Sequence, residues 1–160
     1  MDIFYEPHKK MLRILVEFNV DFILIGGFAV NYYGYNRPTG DMDVWLKPTK
    51  ENQQKLIAAI KEYGFNKESI DYVESLDFSK PEVFTCGEPP VRIDFLTKVS
   101  GVNFDEADAK KIMSPMGNIQ VPLLHLHHLV LTKNSNNRTK DKLDIEELQK
   151  IQELKNKQTK

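Results

Sequence analysis

A chain of 160 residues with 41% apolar and 28% charged side chains holds enough material for one hydrophobic core and is unlike a disordered chain. Its 22 basic and 23 acidic residues leave a net charge of -1, which excludes an overall basic footprint for nucleic acid, although the Lys-rich stretch from Lys133 allows a local patch. The single cysteine, Cys86, cannot close an intrachain disulfide, no leader pattern precedes Pro7, and the apolar run Phe22 to Val30 falls far short of the ~20 residues that span a bilayer, so a cytoplasmic protein without membrane contact is expected.

Met11, Leu12, Leu15, Val16 and Phe18 recur at a helical period with Lys9, Lys10, Arg13 and Glu17 opposite, which predicts an amphipathic helix ended by Asn19-Val20-Asp21. Phe22 to Ile25 reads as a buried strand closed by Gly26-Gly27, and Phe28 to Tyr33 as a helix running to Gly34. Pro38-Thr39-Gly40 forces a turn. Asp41 to Leu46 then predicts a strand stopped by Pro48, with Met42, Val44 and Leu46 on one face and Asp41, Asp43 and Trp45 on the other. Thr49 is positioned to cap a helix from Lys50 to Tyr63 that Gly64 ends. The stretch from Asn66 to Ser79 carries no decisive pattern.

Val83 to Cys86 and Val91 to Leu96 predict two strands around Gly87-Glu88-Pro89-Pro90. Cys86 reads as a small buried residue there. Ile112-Met113 and Asn118 to Val121 flank Pro115-Met116-Gly117 and predict a further hairpin. Two helices follow, Leu123 to about Lys133 and about Thr139 to Leu154, joined by Asn134-Ser135-Asn136-Asn137. Strands mixed with helices and short turns predict an α+β fold.

Asp41 and Asp43 are two residues apart on a strand, so both carboxylates emerge on one face, with Cα atoms about 7 Å apart. Like charges side by side raise each other's pKa unless a positive charge sits between them. A divalent cation answers that need, and hard oxygen donors select Mg²⁺ or Mn²⁺. In Val91 to Leu96, Asp94 projects from the face opposite Val91, Ile93 and Phe95. If its strand neighbours that of Asp41, three carboxylates converge, enough to hold two metal ions in the arrangement that serves phosphoryl and nucleotidyl transfer. Gly26-Gly27, between a buried strand and a helix, lets backbone N–H groups approach an anion such as a triphosphate. Alone, the glycine pair better suits an ordinary strand-to-helix turn, and a lone Asp-x-Asp, weaker still, better suits a solvated strand face. Their order along one chain is far more specific.

Ile25-Gly26-Gly27, a gap of thirteen residues, Asp41-Met42-Asp43-Val44 and the later Ile93-Asp94-Phe95 resemble the nucleotidyltransferase superfamily of the polymerase-β type. With Tyr33-Gly34 and Arg37-Pro38-Thr39, the chain is similar to the small bacterial members, the nucleotidyltransferase-type toxins and lincosamide-modifying enzymes. The resemblance is good over residues 10 to 100 and continues weakly through Lys133, Arg138-Thr139-Lys140-Asp141 and Asp144-Ile145. It implies a polymerase-β-like mixed sheet flanked by helices, with residues 1–122 as the catalytic domain and residues 123–160 as a helical segment packed on it. It further implies Asp41, Asp43 and Asp94 as catalytic metal ligands, with Asp94 activating the acceptor hydroxyl, and Gly26 and Gly27 as holders of the triphosphate. Arg37 and Thr39 would contact phosphate, with a turn-stabilising surface residue as the alternative for Arg37. Lys133, Arg138 and Lys140 would neutralise triphosphate charge as pyrophosphate leaves, with a solvated helix end as the alternative.

The implied reaction is attack by an acceptor hydroxyl on the α-phosphate of an NTP, most simply ATP. The chain leaves little room for acceptor recognition, so either the acceptor is small or a second subunit, a homodimer partner or another chain, completes the pocket. Two alternatives stay open: a toxin-type enzyme acting on tRNA or protein under the control of a partner chain, and a catalytically idle nucleotide-binding relative. Near-neutral charge weakens the tRNA version. His125, His127 and His128 invite a zinc reading, but no cysteine or acid stands at ligand spacing, and a helix surface with core-edge histidines is the expectation. Tyr32, Tyr33 and Tyr35 read equally as base-stacking, core or pocket-rim residues. No P-loop string is present.

Overall fold

The computed structural model describes residues 6–34, 40–88, 90–136 and 139–158; of residues 135, 136, 139–141 and 158 it describes the helical backbone alone. Arg37, Thr39 and Arg138 lie outside the described residues, as do Tyr35 and the side chain of Lys140.

Within those residues run α1 (Glu6–Glu17), β1 (Phe22–Ile25), α2 (Gly26–Tyr32), β2 (Met42–Leu46), α3 (Lys50–Tyr63), α4 (Lys67–Ser75) and β3 (Val83–Cys86). They are followed by β4 (Ile93–Leu96), α5 (Phe104–Lys110), β5 (Ile112–Met116), β6 (Ile119–Leu123), α6 (Leu126–Asn136) and α7 (Thr139–Gln158). No helix among the described residues is long and apolar enough to cross a membrane.

The strands form one six-stranded sheet in the order β3-β4-β2-β1-β6-β5. β2 runs parallel to β4 and β1 parallel to β6, while the β1/β2, β3/β4 and β5/β6 pairs are antiparallel, so the sheet is mixed as the resemblance implies. Central β1 is buried along its whole length, as its unbroken Phe-Ile-Leu-Ile requires. On β2 and β4 the faces divide. Met42, Val44, Leu46, Ile93 and Phe95 are each 0% exposed, and Phe95 stacks on Phe84 of β3 with ring centres 5.3 Å apart.

Caps explain the helices behind this core. The Thr49 side chain accepts from the Asn52 amide, and α3 closes on Gly64, whose φ of 103° favours glycine. Two polar side chains of α3 then reach inward with their hydrogen bonds made. Asn52 bonds both backbone groups of Asp21 at 2.8 Å, tying the start of β1 to α3. Gln53 Nε2 donates to the carbonyls of Val73 and Leu76, which pins α4. Such satisfied buried amides hold one register, and an apolar replacement would leave several backbone groups unpaired.

Two helices have weak sequence signatures. Helix α4 buries Val73 alone and rests on the Asn66 cap, and α5 rests on Asn103, whose side chain accepts from the Glu106 amide and donates to the Glu106 carboxylate. At the C-terminal end, α6 begins at Leu126, later than the predicted Leu123. Leu123 is spent on pairing with Leu24, and the Leu124 amide donates to the Leu24 carbonyl, so sheet pairing overrides helix propensity there. The expected linker over residues 134–137 also shortens, because α6 continues through Asn136.

Candidate active site

One row of residues crosses the sheet at the end where β1 stops. Ile25 pairs with Asp43, Asp43 with Asp94, and Asp94 with Thr85. Adjacent strands lie about 4.8 Å apart, so this register makes Asp43 and Asp94 direct neighbours on one face. Asp41 precedes β2 by one residue, and the Met42 amide donates to the Arg92 carbonyl, which continues the β2/β4 alignment out to that point.

Gly26 follows Ile25 at φ +71°, a conformation that other residues rarely adopt. A side-chain carbon there would meet the Asp43 carboxylate, with Cγ only 2.9 Å away. Glycine is therefore required twice over, by its backbone angle and by the approach of Asp43. Gly27 is buried in the first turn of α2, and no side chain caps that helix.

The three acids share a counter-ion that the sequence reading missed. Arg92 Nε donates to Asp94 Oδ1 at 3.2 Å and stands 3.8 Å from Asp41 Oδ2. The hydrogen bond to Asp94 and then the charges of Asp94, Asp41 and Asp43 push the guanidinium further above its already high range. The expected convergence of the acids thus takes a specific form: Asp41 and Asp94 meet through a guanidinium. Among the described residues no three acid, histidine or cysteine side chains lie together at metal-binding spacing. The physical need identified from Asp41-x-Asp43, a positive charge between carboxylates, is met here by a residue of the chain. Arg92 was legible on the same ground, since it lies two residues before Asp94 and so shares its face.

Thr85 was also missed. Its hydroxyl donates to Asp94 Oδ1 at 2.7 Å from the neighbouring strand. Asp94, with its side chain 18% exposed, is the more enclosed acid, whereas the Asp41 side chain is 47% exposed. Beneath the row, His8 of α1 is buried edge-on to Phe28 at 5.3 Å. Burial pushes its imidazole below the ordinary range, against the opposing pull of the Arg92 backbone and the Asp41 charge.

The remaining predicted residues lie as follows. Lys133 is 5% exposed and its Nζ stands 3.2 Å from Asp144 Oδ2, a buried ion pair that joins α6 to α7 and replaces the solvated helix end considered from sequence. Tyr33 is buried and donates to the Leu124 carbonyl at 2.8 Å; burial pushes its phenol above the ordinary range. Tyr32 lies edge-on to it and is partly exposed. His125 precedes α6 and its Nδ1 accepts from the His127 amide, while His128 is buried and His127 exposed. Cys86 is buried as expected, and burial pushes its thiol up to about 12.

The fold recurs in known structures. The lincosamide antibiotic adenylyltransferase LnuA, solved with lincomycin bound, superposes with a TM-score of 0.58 at 16% identity, over 94% of this chain and 99% of that one. The solution structure of the antibiotic-resistance factor ANT(2'')-Ia superposes with a TM-score of 0.55 at 12% identity, over 96% of this chain and 91% of that one. At such identities the likeness establishes the fold alone. A comparison with curated proteins found no matching sequence. The family described as nucleotidyl transferase of unknown function (DUF2204) matches residues 5–160. That match takes in every acid of the row and nearly the whole chain, which is accordingly a member of this nucleotidyl transferase family.

Proposed function

We propose that the chain transfers an NMP group from an NTP to a hydroxyl of an acceptor and releases pyrophosphate, with Mg²⁺ or Mn²⁺ held by Asp41, Asp43 and Asp94. The observation that carries this reading is the Asp43–Asp94 pairing in register beside Gly26, whose missing side chain makes room for the Asp43 carboxylate. The donor set consists of carboxylate oxygens on adjoining strands, which suits a hard divalent cation. Bound there, the cation would neutralise the triphosphate and lower the pKa of the attacking hydroxyl.

The chain's own groups do the rest. Arg92 holds Asp41 and Asp94 together by charge, a duty that would pass to a divalent cation held by the three acids. Thr85 and Arg92 both engage Asp94 Oδ1, which leaves Oδ2 to receive the acceptor proton. The backbone around Gly26 and Gly27 faces the phosphates. Arg37, Thr39, Arg138 and Lys140 extend the proposal as phosphate contacts, and Lys133 joins them only by exchanging Asp144 for phosphate. AMP is the favoured group and ATP the favoured donor, since the similar fold of LnuA belongs to an adenylyltransferase.

The test is incubation with α-labelled NTPs, Mg²⁺ and hydroxyl acceptors, including lincomycin and tRNA. Label should pass to one acceptor as pyrophosphate appears, and Asp43→Asn should abolish transfer while circular dichroism stays unchanged. Undiminished transfer by Asp43→Asn would refute the metal assignment.

A further inference from the structure

Arg92 is the one residue of the acid row that nucleotidyl transfer leaves without a task once its acids are given to a cation. It precedes Asp94 by two positions and so shares that residue's face of the sheet. Its Nε stands 3.2 Å from Asp94 Oδ1 and 3.8 Å from Asp41 Oδ2. The Thr85 hydroxyl fixes the same Asp94 oxygen from β3. The guanidinium therefore uses carboxylate oxygens that a divalent cation would also need, and two positive charges drawn to one set of oxygens repel each other.

Arg92 is free to let go. Its side chain is 44% exposed, and partly solvated ion pairs are weak, so the guanidinium can leave the acids without disturbing the core. The backbone beneath it is fixed, because the Arg92 carbonyl accepts from the Met42 amide. A long side chain thus swings from a rigid base. On leaving, it stays within its own length of the row, and its planar fork of donors suits phosphate oxygens.

Resting on the transfer reading above, we propose that Arg92 competes with the divalent cation for Asp41 and Asp94 and, on yielding them, turns to the phosphates of the bound nucleotide. Arg92 opposes the cation when it comes alone and, given a triphosphate to hold, favours cation and nucleotide together. A purely structural Arg92, needed only to clasp the two acids, has the opposite consequence: its loss weakens metal binding. The sign of one measurement separates the two roles.

The test uses the full chain and two binding measurements, with no acceptor present. Free Mn²⁺ is followed by its electron paramagnetic resonance signal, and α,β-methylene-ATP, which cannot release pyrophosphate, is titrated by calorimetry at saturating Mn²⁺. Arg92→Gln should bind Mn²⁺ roughly 3- to 10-fold more tightly than the unaltered chain, the size expected for one partly solvated charge pair, and the nucleotide more weakly by a similar factor. Arg92→Lys keeps the charge and should hold Mn²⁺ affinity closer to that of the unaltered chain. Both variants change an exposed side chain and should unfold cooperatively in urea. Weaker or equal Mn²⁺ binding by Arg92→Gln, or equal nucleotide binding, would overturn the proposal while leaving the acid row as the metal site. Asp43→Asn should abolish Mn²⁺ binding with or without Arg92; Mn²⁺ binding that survives it undiminished would refute the metal assignment and the proposal with it.

Discussion

The two ends of β2 and β4 are built from the same paired strands yet differ in every chemical respect. At one end Asp43 pairs with Asp94 and the face is charged, with Arg92 reaching back to Asp41. Two residues along, Trp45 pairs with Leu96 on that same face, and Phe104 of α5 closes over the indole. The difference shows how a strand assigns chemistry. The alternation of side chains fixes which face a residue joins, while the loops and helices laid on that face decide whether it meets water or a hydrophobic wall.

Mutations at the two ends should separate activity from stability. Asp94→Asn should lower transfer on the order of 10²–10³-fold or more, as removal of a directly placed charge-stabilising group does, with the thermal midpoint little changed, since the pair it loses with Arg92 is partly exposed. At the aromatic end Phe104→Ala should destabilise the fold by about 3–5 kcal/mol, measured by urea unfolding, since it removes a buried ring from Trp45. If Asp94→Asn unfolds the protein while Phe104→Ala does not, the division between the two ends is wrong.

Gly26→Ala acts on both properties. The positive φ and the collision with Asp43 should lower stability by roughly 1–3 kcal/mol and reduce transfer together, because only a displaced Asp43 relieves the clash. Thr85→Val is a finer probe. Loss of the hydroxyl that orients Asp94 should reduce kcat/KM about 10-fold, comparable with loss of an outer hydrogen bond to a ligating carboxylate, and Thr85→Ser should restore it.

The smallest effect concerns pH. The folded pKa of His8 lies below its unfolded value, so the unfolded chain binds the proton more readily. The stability that neutral His8 contributes is present above the unfolded value of about 6.5 and is lost as pH falls through it toward the folded value. Denaturation midpoints measured from pH 7.5 to 5.5 should therefore decline, and His8→Gln should flatten the decline.

Much of the acid end was legible because it rests on local rules. The unbroken apolar run of β1, the alternation in β2 and β4, the Thr49 cap and Gly64 each specify their element within a few residues. Arg92 was equally legible, for its spacing to Asp94 obeys the rule that paired Asp41 with Asp43. The aromatic end was not, because Phe78, Thr97 and Val102 come from loops whose meeting depends on the β2/β4 register and on Thr97 joining distant backbone segments. Helix α5 left only one local trace, Asn103 three residues before Glu106. The buried Lys133–Asp144 pair was not legible, because Asp144 lies on a different helix.

Backbone NMR with sub-stoichiometric Mn²⁺ and ATP tests the central claim most directly, since the paramagnetic ion broadens amides near where it binds. The Gly26, Asp43 and Asp94 signals should broaden first, and Asp43→Asn should abolish that effect. Sharp signals at those three positions, or broadening centred on His125 to His128, would contradict the assignment of the acid row as the site of nucleotidyl transfer.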